Sequence, residues 1–246
     1  MLQPKNEDSV TQNLLTRLRT FAKERQIPIV RPGTERVLAD LVRCKNPKRI
    51  LEIGTAIGYS GIVMLKNSVG TLTTLEMSAP NVALARKNFE EAELTERVSI
   101  DFCDARIRVP QLTDSFDFIF MDGPKASYVD FLPYLADRLA EGGILMADDV
   151  YFHGLVDCPP KEGEKHYVIA TQLKKFLTAL EGEHRLLSSL WRLEDGIAIC
   201  VKRRKDEYNR VACPCGQYGK IQNGNPLRGR CRLPQRKTIR VACFCG

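Results

Sequence analysis

Acidic residues recur at one kind of place in this 246-residue chain, directly after short apolar runs. RILEIG (49–54) contains Glu52 and ends in Gly54, and TLTTLE (71–76) ends in Glu76. FDFIFMD (116–122) ends in Asp122, and GGILMADD (142–149) ends in Asp148 and Asp149. Random surface charge does not give that pattern. The first run continues as Glu52-Ile-Gly54-Thr-Ala-Ile-Gly58-Tyr59-Ser60, a link into a helix. Glycines in such a link allow tight turning and close backbone approach to a ligand. Glu76 lies 22 residues after Gly54, which fits an acid about 20 residues on that accepts hydrogen bonds from a ribose diol. The glycines read G-x-x-x-G, not the G-x-G-x-x-G of dinucleotide sites. A nucleoside without a pyrophosphate is therefore favoured. A strand-to-helix turn with a surface glutamate explains either half alone; together the halves favour a nucleoside cofactor.

The elements that must hold these groups follow from periodicity. Leu14, Leu15, Leu18, Phe21 and Ala22 recur at helical spacing, so 8–25 is an amphipathic helix. IPIVRPG is a loop marked by Pro28, Pro32 and Gly33, and a second helix opens at Thr34 and runs to about Cys44. Strands are expected at 49–54, 71–76, 98–102, 116–122 and 142–149. Helices are expected at 59–66, 79–92, 128–140 and 166–180 between or after them. Two last strands, 185–193 and 196–202, flank the hairpin turn EDG (194–196). Apolar strands alternating with helices imply an α/β fold, a doubly wound and mostly parallel sheet covered on both faces. Its ligand belongs outside the carboxyl ends of the strands, at the switch point. That is where the acids fall.

Composition sets the outer limits. Hydrophobic residues make up 43% and charged residues 27%, which excludes a wholly disordered, collagen-like or multi-span membrane chain. No apolar run reaches the roughly 18 residues of a membrane-helix candidate. The first residues lack the apolar core of a secretory signal, so the cytoplasm is the expected compartment. The nine cysteines are then expected as thiols or metal ligands rather than disulfides. The net charge of +7 is uneven. Residues 1–49 hold eleven Lys/Arg against five Asp/Glu, 50–201 hold fourteen against twenty-three, and 202–246 hold twelve against two. An acidic body with basic ends results, and basic ends hint at nucleic acid or an anionic surface. The chain changes character near Lys202, which divides it into a domain over 1–202 and an irregular Cys/Arg-rich tail over 203–246.

LEIGTAIGYS, LEMSAPNVALARKNF, FDFIFMDGPKASYVDFL and GGILMADDVYFHGLV stand in this order in the chain. Together they resemble the metal-dependent O-methyltransferases of the catechol and caffeoyl-CoA type, over about residues 10–201. IPIVRPGTERVL and ILEIGTAIGYS further resemble the bacterial branch that methylates 5-hydroxyuridine at the tRNA wobble position. The resemblance implies a seven-stranded Rossmann-like methyltransferase sheet and S-adenosylmethionine as cofactor. It implies that the Glu52–Ser60 loop, with Gly54, Tyr59 and Ser60, wraps the methionine part, and that Glu76 binds the ribose. Asp104 and Ala105 match the adenine-contacting turn, and Ile29 a backbone contact near the cofactor. Asp122 is shared between cofactor and metal, and Asp122, Asp148 and Asp149 match the metal ligands. Lys125 matches the catalytic lysine. A homodimer is the family's common state.

The chemistry explains these residue types. A methyl sulfonium is already activated, so the task is alignment of an oxygen nucleophile with the methyl carbon. Mg²⁺ takes hard oxygen ligands and lowers the pKa of a coordinated hydroxyl. Near such a cation the charged form of Lys125 is disfavoured, which lets it act as a base. Asp149 departs from the pattern the resemblance implies, since the family usually has Asn there. Three carboxylates around Mg²⁺ leave −1, which tightens the metal, reduces its Lewis acidity and shifts preference toward Mn²⁺ or Ca²⁺. Alternatively, Asp149 turns away. Tyr128 and Phe152 either stack on a flat substrate or pack in the core, and His153 has no assigned role.

RVACPCG (210–216) recurs as RVACFCG (240–246). Cys213, Cys215, Cys231, Cys243 and Cys245 could hold a structural Zn²⁺, although C-x-C is not the usual spacing and a disordered extension fits as well. The arginines of 228–240 contact RNA phosphates or form a solvated tail. The leading expectation is methylation of wobble 5-hydroxyuridine in tRNA. The alternatives are a small-molecule catechol-type enzyme with the same site and a non-catalytic RNA-binding protein.

Overall fold

The computed structural model describes residues 5–205, with side chains from residue 10. The cysteines and arginines of the tail lie outside these residues. Helices α1 (Lys5–Arg25) and α2 (Pro32–Lys45) lead into β1 (Arg49–Ile53), α3 (Tyr59–Lys66), β2 (Thr71–Glu76), α4 (Ala79–Glu91) and β3 (Val98–Phe102). A short α5 (Ala105–Arg108) precedes β4 (Phe116–Met121), α6 (Tyr128–Arg138), β5 (Leu139–Ala147), α7 (Tyr167–Gly182), β6 (Leu186–Trp191) and β7 (Ile197–Lys202). The strands form one seven-stranded sheet in the order β3-β2-β1-β4-β5-β7-β6. All pairs are parallel except β5 with β7 and β7 with β6. This is the expected doubly wound, mostly parallel sheet. The antiparallel edge follows from the short EDG connection, which cannot cross over the sheet.

Alternation along each strand divides the core between two faces. Leu51, Ile53, Ile119, Met121 and Leu145 face α6 and α7, packing with Phe131, Leu135, Leu173 and Phe176. Ile50, Phe118, Phe120 and Met146 face the other way, with Leu38, Val42, Ile62, Phe89 and the apolar stripe of α1 (Leu14, Leu15, Leu18). Burial on both faces is why these strands read as continuous apolar runs.

Some boundaries differ from the sequence reading. α2 begins at Pro32 rather than Thr34, because proline fits the first helical turn, where no N–H partner is needed. β5 begins at Leu139, so α6 ends at Arg138 rather than near Ala140. Gly142 and Gly143 look like a strand start, but the ladder reaches Phe116↔Leu139 through an irregular register before them. β6 ends at Trp191 rather than at Leu193.

The start of α2 has no cap from its own sequence, since Arg31 makes no side-chain cap hydrogen bond. Its first N–H groups are met from across the molecule. The Gly33 and Thr34 amides donate to the Glu194 carboxylate at 2.9 and 3.0 Å, and the Thr34 hydroxyl donates to it at 3.0 Å. These bonds hold the Glu194 carboxyl below its usual range despite partial burial. A carboxylate at a helix N-terminus also gains from the helix dipole. Glu194→Ala is expected to lower stability by about 1–2 kcal/mol, read as a fall in the urea midpoint.

Candidate active site

The order reverses at β1, which pairs with β2 on one side and β4 on the other, so the crossovers on either side run over opposite faces and leave a cleft at the strand ends. A cavity of about 740 Å³ opens there. Its walls come from the loop before α2 (Pro28–Arg31), the β1–α3 link, the end of β2, the start of α5 and the ends of β4 and β5.

Gly54 makes this closeness possible. Its φ is +101°, and a Cβ there would meet the Asp122 carbonyl oxygen at 2.5 Å. The Gly54 amide donates to Leu75 O at 3.0 Å, and the Asp122 amide to Ile53 O at 2.9 Å. The loop then turns through Gly58 (φ +82°) into α3, whose first residues Tyr59 and Ser60 line the cavity. The Glu76 carboxylate is held at the cavity wall by two amides, Ala56 N–H at 2.9 Å and Ser78 N–H at 2.8 Å. Each carboxylate oxygen keeps a further lone pair. Asp104 caps α5, accepting from the Arg106 amide at 2.9 Å, and the Arg106 guanidinium beside it holds its carboxyl low.

Ile29, Gly54, Tyr59, Ser60, Glu76, Asp104, Ala105 and Asp122 all line this one cavity, as do Lys125, Asp148 and Asp149. Glu52 does not. It shares a strand face with Ile50, is fully buried, and accepts from the Ser60 hydroxyl at 2.5 Å and the Thr74 hydroxyl at 2.6 Å. Its place is behind the loop, holding Ser60, rather than against a ligand. Tyr59, on the cavity wall but nearly all buried, donates its hydroxyl to Glu35 at 2.8 Å and accepts from Arg19, itself paired with Glu35 at 2.6 Å.

The three aspartates converge at the other end. One carboxylate oxygen from each of Asp122, Asp148 and Asp149 can be chosen so that all lie within 4.8 Å of one another. Lys125 Nζ stands 3.0 Å from Asp122 Oδ1 and 3.0 Å from Asp149 Oδ2. Asp149 thus turns toward the cluster, on a backbone with φ +56°, a left-handed conformation that Asp and Asn tolerate better than most residues. Burial, then the neighbouring Asp122 and Asp149, push the Asp148 carboxyl up to about 7. Burial also raises Asp122, against the opposing pull of Lys125. Burial alone would lower Lys125, but Tyr128, Asp122 and Asp149 around it outweigh that and hold it well above the ordinary lysine range. The ammonium is therefore the favoured form in the acid cluster as it stands. Hard oxygen donors, close convergence and unbalanced negative charge fit a divalent cation.

Tyr128 packs in the core instead of stacking on a ligand: it is buried edge-on against Phe176, with its hydroxyl donating to Met121 O at 2.9 Å. Phe152 lies between His153 and His166 rather than on the cavity wall. Asn81, Met77, Cys103 and Arg31 also line the cavity and carried no signal in the sequence. Arg31 had the closest hint, since it is two residues from Ile29 in the loop expected near the cofactor.

A nucleoside-type loop and an acid–lysine cluster in one cleft define a class I transferase site. The chain belongs to the O-methyltransferase family, whose model matches residues 5–203. It is 35% identical over 133 residues to a catechol O-methyltransferase of Niastella koreensis, covering 52% of this chain and 60% of that one. The chain thus spans about three fifths of that relative's length. It is 26% identical over 176 residues to caffeoyl-CoA O-methyltransferase 2 of Petunia hybrida, covering 66% and 72%. An O-methyltransferase from Bacillus cereus solved in complex with SAH superposes with a TM-score of 0.69 at 26% identity, over 82% of this chain and 90% or more of that one (94%). The O-methyltransferase TomG from Streptomyces achromogenes, with SAM, shares the fold at 22% identity and a TM-score of 0.70, over 78% and 90%. The fold is the Rossmann-like methyltransferase fold.

Glu52 yields a pH signature. Burial, against the Ser60 and Thr74 hydrogen bonds, pushes its carboxyl from 4.5 to about 7. The folded chain therefore holds this proton more tightly than the unfolded chain. The resulting stabilisation is full below pH 4.5 and is lost as pH rises through about 7. It amounts to about 3 kcal/mol. Asp122 and Asp148 shift the same way, so the difference between two proteins isolates Glu52. Between about pH 5 and pH 8, urea unfolding should show a steeper stability loss in the wild type than in Glu52→Gln. Parallel profiles would count against it.

Proposed function

We propose that this chain is an S-adenosylmethionine-dependent O-methyltransferase that methylates one hydroxyl of a vicinal aromatic diol, with a divalent cation held by Asp122, Asp148 and Asp149. The observation that carries this reading is the convergence of those acids and Lys125 in the same cavity as the Gly54–Ser60 loop and Glu76. The names of the catechol and caffeoyl-CoA relatives support a small phenolic acceptor, and the SAM- and SAH-bound neighbours support the cofactor.

When bound, the cation lowers the pKa of the acceptor hydroxyl and S-adenosylmethionine supplies the methyl group. The protein's residues bind, orient and move a proton. Glu76, its plane fixed by two amides, accepts from the ribose diol. Asp104 and Ala105 flank the adenine, and Ile29 and Tyr59 wall the cofactor. The Ser60 hydroxyl donates its hydrogen to Glu52, so it faces the cavity as an acceptor. The acids, with a cation held among them, would bind the diol at this end of the cavity, leaving one oxygen toward the Gly54–Ser60 loop. Lys125, on the wall of the same cavity beside Asp122 and Asp149, would be the group to receive that oxygen's proton. With a dication among the acids, the neutral amine is favoured and can take that proton.

The second reading is the wobble 5-hydroxyuridine of tRNA. The excess of Lys and Arg over residues 1–49 favours it, since phosphate contacts need such charge. The relatives' names favour the small molecule. Methyl transfer from labelled cofactor to a panel of catechols, and to bulk tRNA carrying 5-hydroxyuridine, separates the two. Activity on catechols is expected to vanish with EDTA and return with Mg²⁺. Activity on tRNA alone would move the substrate to the second reading, and RNA binding without transfer would remove the enzyme reading. Lys125→Met is expected to lower kcat by about 100-fold or more while the calorimetric affinity for S-adenosylhomocysteine stays within severalfold. A variant with wild-type kcat would remove Lys125 from the chemistry.

A further inference from the structure

Three cationic side chains line the cavity among the described residues: Arg31, Lys125 and Arg106. Lys125 is taken up by Asp122 and Asp149. Arg106 is bound through Nε and a terminal nitrogen to Asp104, at the end of the cavity assigned to adenine. Arg31 has no place in the transfer scheme above. It lines the cavity with Asp148 and Asp149, and three residues further on the Thr34 hydroxyl stands 3.4 Å from Asp148 Oδ1, which puts this stretch at the acceptor end. The backbone of Arg31 is fixed. It is the extended residue before Pro32 at the start of α2, and the next turn is clamped by Glu194. The side chain is 40% exposed, and its guanidinium pairs through one terminal nitrogen with Asp195. Asp195 itself is shared with His153 Nδ1 at 2.9 Å. A guanidinium offers five N–H donors in a planar fork suited to a second carboxylate.

We infer that Arg31 is a specificity-determining residue that binds a carboxylate on the acceptor, so that the preferred substrates are catechols bearing an acidic group away from their hydroxyls. This rests on the catechol reading above. Even with a dication bound, the three aspartates leave this end of the cavity at −1, which disfavours a further anion. An acidic substituent is accepted only where a fixed cation meets it, and Arg31 is the cation so placed. The carboxylate either shares the guanidinium with Asp195 or displaces it.

The test compares kcat/KM for protocatechuate with kcat/KM for catechol, at saturating S-adenosylmethionine and Mg²⁺. Affinity for protocatechuate is also measured by calorimetry with S-adenosylhomocysteine present. Arg31→Gln is expected to lower the protocatechuate-to-catechol ratio at least about tenfold, with a parallel loss of protocatechuate affinity, as for removal of a charged hydrogen-bond partner. Arg31→Lys is expected to keep part of the ratio. Asp195→Asn, which removes the competing carboxylate charge, is expected to raise it. Equal losses on both acceptors in Arg31→Gln would overturn the inference and leave the catechol reading standing. If Arg31→Gln does not fold, an unaltered ratio in Asp195→Asn overturns it. A wild type that methylates neither acceptor overturns the catechol reading and this inference together.

Discussion

The ends of β1 and β4 approach so closely that no side chain fits between them. Gly54 lies where a Cβ would sit 2.5 Å from the Asp122 carbonyl oxygen, and the rest of the cleft follows from that contact. The Asp122 amide can then reach Ile53 O, and the Asp148 amide reaches Met121 O in the same way one strand further on. The two acids leave adjacent strands at the same level, which is why their carboxylates meet. On the other side, the Gly54 amide reaches Leu75 O, which brings Glu76 level with the loop. Parallel strands in register make the acids converge, and the reversal of strand order leaves room for a ligand between them.

The loops over the cleft have a second source of order. Three consecutive residues of the β6–β7 turn hold both of them. Glu194 caps α2, and Asp195 binds Arg31 and His153. Gly196 O accepts from the Val150 amide, and Asp195 O accepts from the Tyr151 amide at 2.8 Å. Arg192 adds an ion pair with Asp157 and lies over the Tyr151 ring at 4.3 Å. Loops left to themselves would lose conformational entropy on closing over a ligand. Here much of that ordering is already done by the fold, so the acid-cluster end of the cavity is set in advance. The antiparallel edge of the sheet thereby acquires a direct role at the acid-cluster end of the cavity.

What could be read in advance depended on whether the signal was local. Fully buried strands appear as apolar runs, and acids after them stand out because nothing else polar is near. Asp122, Asp148, Asp149 and Glu76 were legible for that reason. Glu52 was misplaced although alternation held the answer: it is two residues from Ile50 and so shares the face packed against α2 and α3, behind the loop. Tyr128 shows the limit of residue type, because an aromatic beside a site can as well be core, and only packing against Phe176 decides it. Arg31, Glu194 and Asp195 could not be paired in advance. Their pairings span about 160 residues of sequence (160, 161 and 164), and no periodicity or spacing carries information over that range.

Asp149 shows how backbone and charge divide the work at the acid cluster. Its left-handed conformation would suit Asn as well as Asp, so the turn does not require a carboxylate. The charge makes the difference. With Asp149 ionised, Lys125 has two anionic partners, each at 3.0 Å; an amide would leave it one. The cluster then carries three acids against one ammonium, in a place where burial already penalises charge, as the upward shift of Asp148 to about 7 shows. Such a group gains more from a dication than a two-acid cluster would, because each added carboxylate raises both its self-repulsion and its attraction to the cation. Lys125 and a dication compete for the same oxygens. On the proposed reading, the aspartate at position 149 therefore strengthens the lysine's hold on the acids in one state and the cation's hold in the other.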